Sequence, residues 1–355
     1  WQRDDGQERC PPAGSHRLPQ RPSFKPCQAS LRTCACSTGP PQQQGCPALP
    51  EVSKLSPLVN RILGRNPSPF TLTGTNMYLV GSGQGRILID AGEGKPGVLQ
   101  DLLRAMEDEG CSHLEQIVIT HWHHDHLLGV PELLRHFGSH VPVRKYLPPE
   151  GTAAGERGPG DLGGGWSPDK LLHELPVSGL VDGEVLRCEG ARLRVLFTPG
   201  HANDHVCLFL QEEKALFTGD NVLGWGTGTF QDLQLYMSSL RRMRDEEPER
   251  LYPAHGPAIA GKKETADWLQ MYISHREERI QQATEALRAG PEAGCDVPSL
   301  VRTIYQEQPS VLQSEILFKG ACINTKRVLD YLEQEGLCAQ LKDGFYVWVP
   351  SASRL

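Results

Sequence analysis

At 355 residues the chain has room for two domains, or for one large domain and a tail. Apolar residues make up 38% and charged residues 22%, and nowhere do eighteen or so apolar residues run together, so no membrane-spanning helix and no membrane partner is expected. The net charge of −7, from 43 acidic and 36 basic residues, excludes a broadly basic nucleic-acid surface; a polyanionic substrate would need a local positive site, a metal ion included.

Residues 1–50 are rich in Pro, Gln, Gly and Arg. From Arg9 to Pro50 there are basic residues but no acidic one, a bias of organelle transit peptides, although the prolines oppose the amphipathic helix such peptides form. This segment is expected to be a disordered tail with a mitochondrial address. Five of the eleven cysteines (Cys10, Cys27, Cys34, Cys36, Cys46) lie in it. The other six are scattered through mostly apolar patterns with no CxxC pair, which reads as reduced thiols in a reducing compartment.

From about Leu55 the pattern becomes regular. Short strands are predicted at 61–63, 78–80 and 86–90, the last two joined by the Gly-rich turn 81–85. An amphipathic helix follows over 96–109, with Pro96 in its first turn and Gly110 as its stop. A strand over 116–120 runs into H-W-H-H-D-H at 121–126, then a helix over 127–137, a strand over 141–147 and a Gly/Pro-rich loop over 148–169. Strands at 184–188, 192–197, 206–210, 215–218 and 250–252 alternate with helices at 231–244 and 262–289. Antiparallel strands interrupted by single helices predict two sheets flanked by helices.

After Gly290 the period changes. Helices over 297–306, 311–319 and 324–336, then a hairpin within 337–349 with Asp343-Gly344 at its tip, make a winged-helix pattern. The third helix carries Lys326 and Arg327 but also Asp330, Glu333 and Glu335, so packing or homodimer formation suits it at least as well as a nucleic-acid groove. The domain expectation is a tail over 1–50, a main domain over 51–290, a winged-helix domain over 291–349 and a short tail over 350–355.

Four histidines and an aspartate within six residues, directly after an apolar strand, are a metal-ligand run; a packed core could not partner so many polar rings. His121 and His123 alternate and can point the same way, while Asp125 and His126 turn toward a second position. Each metal needs further ligands, and three strand ends supply them: His201 in V-L-F-T-P-G-H, Asp220 in L-F-T-G-D, where a carboxylate could bridge two ions, and His255 in L-Y-P-A-H-G. Asp90, closing R-I-L-I-D, could hold a ligand histidine by its free N–H. His124, His173, His205 and His275 lack such settings and are left as structural or supporting residues.

H-x-H-x-D-H at 121–126, with His201, Asp220 and His255 after it and Asp90 before it, resembles the metallo-β-lactamase superfamily over roughly residues 55–290. The resemblance implies an αβ/βα sandwich with its site at one edge between the sheets, and two zinc ions per chain. His121, His123 and His201 would hold the first, Asp125, His126 and His255 the second, and Asp220 both, with Asp125 also counted among the catalytic groups. Two such ions would lower the pKa of a shared water from 15.7 toward ~7 and polarise the oxygen under attack. Asp220 stands where one major β-lactamase subclass has Cys. Only residues 221–254 lie between Asp220 and His255, so the domain inserted there in mRNA-processing nucleases is absent.

R-I-L-G-R-N-P-S-P-F-T-L-T-G-T-N-M-Y-L-V at 61–80 and Y-I-S-H-R at 272–276, with the winged-helix pattern, resemble the animal lactamase-beta-like protein two group. That resemblance implies a zinc-dependent endoribonuclease of the mitochondrial matrix acting on single-stranded RNA, with Thr75 and Asn76 near the site mouth as substrate contacts. Three rivals stand beside it: a thioester hydrolase like glyoxalase II, a mononuclear iron persulfide dioxygenase, and a binding module with a relic site. The local basic residues available for phosphate are Arg61, Arg65, Arg241, Arg242, Arg244, Lys262 and Lys263.

Overall fold

Met77 and Leu79 of β3 (Asn76–Val80) face one way and Tyr78 and Val80 the other, and all four are buried, so this strand carries a hydrophobic layer on each side. The same holds for Ile87, Leu88 and Ile89 of the adjacent strand, which is why such strands read as apolar runs rather than as polar–apolar alternation. The structure, a computed structural model, describes residues 45–149, 171–172 and 174–349. The expectations for 1–44, for most of the loop 148–169, for His173 and for 350–355 lie outside the described residues.

One sheet runs in chain order, β1 (Val52–Lys54), β2 (Val59–Leu63), β3, β4 (Gly85–Ile89), β5 (His113–Ile119), β6 (Val143–Lys145) and β7 (Val177–Gly179). The other is ordered β13-β12-β11-β10-β9-β8, from β8 (Val185–Cys188), β9 (Ala191–Phe197), β10 (Val206–Leu210), β11 (Ala215–Gly219), β12 (Arg250–Pro253) and β13 (Ile259–Ala260). The strands are not all antiparallel as expected. β4 to β7 pair in parallel, and so do β11 and β12. Parallel neighbours need a crossover, which α1 (Val98–Asp108) supplies between β4 and β5 and α4 (Leu233–Asp245) between β11 and β12.

Three apolar layers hold these elements. Tyr78, Ile87, Val118, Leu193, Leu208 and Phe217 meet between the two sheets. On the outer face of the first sheet Met77, Leu88 and Ile117 pack under Leu102 and Met106 of α1 and Leu133 of α3 (Val130–Phe137). On the outer face of the second, Leu216 and Leu251 pack under α4 and α5 (Lys262–Ala289). The result is the αβ/βα sandwich, a mixed two-sheet fold with C-terminal helices.

The last apolar layer runs on beyond Gly290, taking in Leu300 of α6 (Val297–Ile304), Val328, Leu329 and Leu332 of α8 (Glu315–Gln334), and Tyr346. Helices expected over 311–319 and 324–336 are instead a single turn-rich α7 (Pro309–Gln313) and the twenty-residue α8, which begins on Ser314, whose Oγ accepts from Leu317 N. Nothing breaks the helix at 320–323, and Leu329 and Leu332 anchor its far half. The hairpin β14 (Cys338–Gln340) and β15 (Tyr346–Trp348) forms as expected. No helix among the described residues is long and apolar enough to cross a membrane.

Candidate metal centre

Parallel pairing brings strand ends to one edge, and the motif residues sit at those ends. Ile89 pairs with Val118, so Asp90 lies beside Thr120, and Gly219 pairs with Pro253, so Asp220 and His255 leave the second sheet together. Two glycines make room for the ligands that follow them. At Gly200 (φ +132) a Cβ would lie 2.4 Å from the backbone of Tyr236, and at Gly219 (φ +50) the same distance from His205 Nε2.

After β5 the chain bends through Thr120–Trp122, and from His123 (φ −58, ψ 146) it winds into α2 (His124–Leu127). That change of conformation divides the motif. His121 Nε2 lies 2.9 Å from His123 Nδ1, which lies 3.0 Å from His201 Nε2. Beyond the turn, Asp125 Oδ2 faces His126 Nε2 and His255 Nε2, each at 3.3 Å. Asp220 stands between the groups: Oδ2 is 3.5 Å from His201 Nε2, while Oδ1 is 3.2 Å from His255 Nε2 and 3.6 Å from His126 Nε2. Ligand atoms of His121, His123, His201 and Asp220 all lie within 4.8 Å of one another, as do those of Asp125, His126 and His255.

The donor set fits a metal. Three ring nitrogens converging at about 3 Å repel unless a cation or proton lies among them. His126 Nε2 and Asp220 Oδ1 are buried with no hydrogen-bond partner. Behind the ligands, Asp90 Oδ2 accepts from His126 Nδ1 at 2.8 Å and from Thr120 Oγ1 at 3.0 Å, and that hydroxyl accepts from His121 Nδ1 at 3.0 Å. One carboxylate thereby fixes a histidine of each group with Nε2 turned inward. Asp90 holds this position in the left-handed region (φ 60). His201 Nδ1 donates to Thr229 O at 2.9 Å.

Burial and the neighbouring imidazoles push His121 and His123 well below the ordinary histidine range, and burial lowers His201, so their lone pairs are free at neutral pH. Burial would lower His126 and His255 too, but Asp125, Asp90 and Asp220 hold His126 well above its ordinary value. Asp220 and Asp125 hold His255 up at about 10.

Thr75 and Asn76, expected as substrate contacts at the mouth, are fully buried and bond to the protein itself. Thr75 Oγ1 donates to Asp125 Oδ2 at 2.8 Å, held there by Asn66, and Asn76 Nδ2 donates to Pro253 O and Gly256 O, both at 2.8 Å, staple-like across the His255 turn. His205 is a supporting residue that sequence reading left without a setting: its Nε2 accepts from Asp220 N at 3.1 Å and its ring lies 5.2 Å from that of His121. Its place four residues after His201, just before an apolar strand, is the only signal the sequence carries.

Over the ligands opens a cleft of about 380 Å³, walled by the Ser68–Leu72 turn, residues 223–229, Tyr305 and α8. His123, His124, Asp125 and His201 reach it, and Phe70, Trp225, Ile316 and Leu317 expose apolar surface around it. No Lys or Arg lines it among the described residues. The basic residues expected to bind phosphate are engaged elsewhere: Arg61 is buried on Ser53, and Arg65, Arg241, Arg242, Arg244, Lys262 and Lys263 pair with acidic side chains.

Comparison with known proteins agrees with this geometry. Residues 70–255 match the model of the metallo-beta-lactamase superfamily. The beta-lactamase-like protein 2 homolog of Drosophila melanogaster is 36% identical over 86% of this chain and 99% of its own length. An atrochrysone carboxyl ACP thioesterase of Aspergillus novofumigatus is 35% identical over 79% of this chain and 78% of its own. A metallo-beta-lactamase family protein of Thermus thermophilus superposes with a TM-score of 0.61 at 24% identity, covering 83% of this chain and all of that one.

Proposed function

This chain belongs to the metallo-β-lactamase superfamily of hydrolases, and from that premise we propose that it is a dinuclear zinc endoribonuclease, hydrolysing phosphodiester bonds within single-stranded RNA. The observation that carries the reading is Asp220, whose two oxygens are divided between two complete ligand groups at the floor of an open, aromatic-rimmed cleft. Bound there, two zinc ions would supply water activated near neutral pH and a Lewis acid for the phosphoryl oxygen.

The chain's own part is positioning. His121, His123 and His201 would hold one ion, Asp125, His126 and His255 the other, and Asp220 both. Asp125, held by Thr75 and reaching the cleft, is the carboxylate placed to take the proton of the attacking water. Phe70, Trp225 and Tyr305 offer rings on which unpaired bases can stack, a mode open to single strands and closed to a duplex. With no Lys or Arg in the cleft, attraction for the scissile phosphate falls to the metal centre.

A second reading is thioester hydrolysis. It is favoured by the apolar cleft wall, without basic side chains, and by the relative named as an acyl carrier protein thioesterase. One experiment separates the two. The zinc-loaded protein is incubated with labelled single-stranded RNA, with duplex RNA and with S-lactoylglutathione, each with and without chelator and beside His123→Ala. The nuclease reading expects chelator-sensitive cutting of the single strand alone. Cutting that survives chelation or His123→Ala, or faster thioester turnover, overturns it.

A further inference from the structure

Behind the cleft a second cavity of about 220 Å³ lies between α4, α5 and the C-terminal helices α6 and α8. The two share Thr227, Tyr305 and Asn324 in their walls, so one extended ligand can reach both. The inner cavity has the charge that the cleft lacks. Arg276 and Arg279, one turn apart on α5, both line it, and no Asp or Glu does. Arg276 is only 4% exposed, and the Nε of each arginine is buried without a hydrogen-bond partner. His275 Nδ1 and Asn324 Oδ1, on the same walls, are also buried and unpartnered.

The Arg276 guanidinium is drawn out of water with Nη2 donating to Gly228 O, and Arg279 is half-buried with Nη1 donating to Gln282 Oε1. Neither forms an ion pair among the described residues, and planar N–H forks of this kind match phosphate oxygens. Aromatic faces hold the forks in place: Arg276 lies 4.9 Å from the Phe230 ring centroid and Arg279 4.4 Å from that of Tyr305. Burial and the two arginines push His275 down to about 4, which leaves it neutral, a hydrogen-bonding group rather than a third cation.

We propose that this cavity is a phosphate subsite, in which Arg276 and Arg279 hold a phosphate of the substrate other than the group being hydrolysed. The proposal deepens the nuclease reading and rests on it for the source of that phosphate, the neighbouring linkage of an RNA strand. The same chemistry would suit the phosphate of a phosphopantetheine thioester. The Y-I-S-H-R stretch at 272–276 thereby acquires a role on the substrate side of the site.

Binding to the whole, zinc-loaded protein is measured by calorimetry for two pairs: adenosine 3′-monophosphate against adenosine 3′,5′-bisphosphate, and pantetheine against 4′-phosphopantetheine. In each pair the second member adds one phosphate beyond the group that reaches the metal centre. The subsite predicts at least a tenfold advantage for the added phosphate in one pair. Arg279→Gln should lose that advantage, Arg279→Lys should restore part of it, and affinity for the first member of each pair, which lacks the added phosphate, should not change. Arg279 is the decisive position because Arg276 also donates to Gly228 O beside the His201 support, so zinc content is measured for every variant. An advantage in the nucleotide pair assigns the subsite to RNA, and one in the pantetheine pair to a carrier thioester. No advantage in either pair, or one that survives Arg279→Gln, overturns the subsite. Absence of RNA cleavage with the phosphate advantage intact would sink the nuclease reading alone.

Discussion

Thr75 donates its hydroxyl hydrogen to Asp125 Oδ2 at 2.8 Å, the same oxygen that faces His126 and His255. The threonine is itself oriented by Asn66, so a turn far from the histidine motif fixes the carboxylate of one ligand group and none of the other. Thr75→Val keeps the shape and removes the donor. Outer partners of this kind are worth about 10–100-fold in metal affinity. The variant should bind one zinc normally and the second more weakly by about that factor, as read by metal content during chelator titration. Equal weakening of both sites would contradict the division of ligands.

Asp90 serves both groups, through His126 directly and through Thr120 to His121. Asp90→Asn retains the volume but can no longer accept at both oxygens. Both zinc equivalents should therefore weaken together, again by about 10–100-fold. The contrast with Thr75→Val is the informative result: a merely destabilising Asp90→Asn would lower the melting temperature of metal-free and metal-loaded protein alike and leave the affinities in place.

The raised values of His255, about 10, and of His126 set the pH behaviour. Without metal the folded chain holds these protons above the ordinary histidine pKa of 6.5, where the unfolded chain has released them. The stabilising effect of the His255 proton is complete below about pH 6.5 and is lost as pH rises through about 10, and the His126 proton acts in the same direction. Melting temperature of the metal-free protein should fall across that window. Zinc must displace the same protons, so near pH 7.5 binding should release up to about two per chain from these imidazoles, besides any from metal-activated water, and fewer toward pH 10. His121, His123 and His201 are already neutral and release none. Calorimetry in buffers of different ionisation enthalpy counts the protons; no release at pH 7.5 would show that the carboxylates do not hold them.

The sandwich was legible because its strands are short apolar runs bounded by Gly and Pro, and the ligand set because each member ends such a run. The parallel half of the first sheet was not, since pairing direction depends on where a crossover helix packs and leaves no mark on the strand itself. Thr75 and Asn76 were legible as important and misread in role. Their turn sits beside the site, but whether a polar side chain there looks outward or inward is decided by partners as remote in sequence as Pro253. The C-terminal helices were found, yet the run-together α8 was not, because a helix of fair propensity on both sides of Gly320 needs no break. Arg276 and Arg279 look like surface charges on a long helix until α6 and α8 cover them.

The Lys145–Asp204 ion pair gives the sharpest test of how the two sheets are joined at the site. Lys145 belongs to β6 of the first sheet; Asp204 lies between β9 and β10 of the second, three residues after His201; both are about 1% exposed. The ammonium also donates to Tyr146 O at 3.1 Å. Removing one partner of a buried pair strands the other charge, at about 3–5 kcal/mol, whereas replacing both with apolar residues can be neutral. Asp204→Ala should lower the unfolding free energy obtained from urea titration by that amount, and Lys145→Met combined with Asp204→Leu should recover most of it. If the pair also positions the His201 loop, the double variant will be stable yet bind its first zinc more weakly. A loss below 1 kcal/mol for Asp204→Ala would mean that water reaches Lys145 and that the sheets meet there without the ion pair's help.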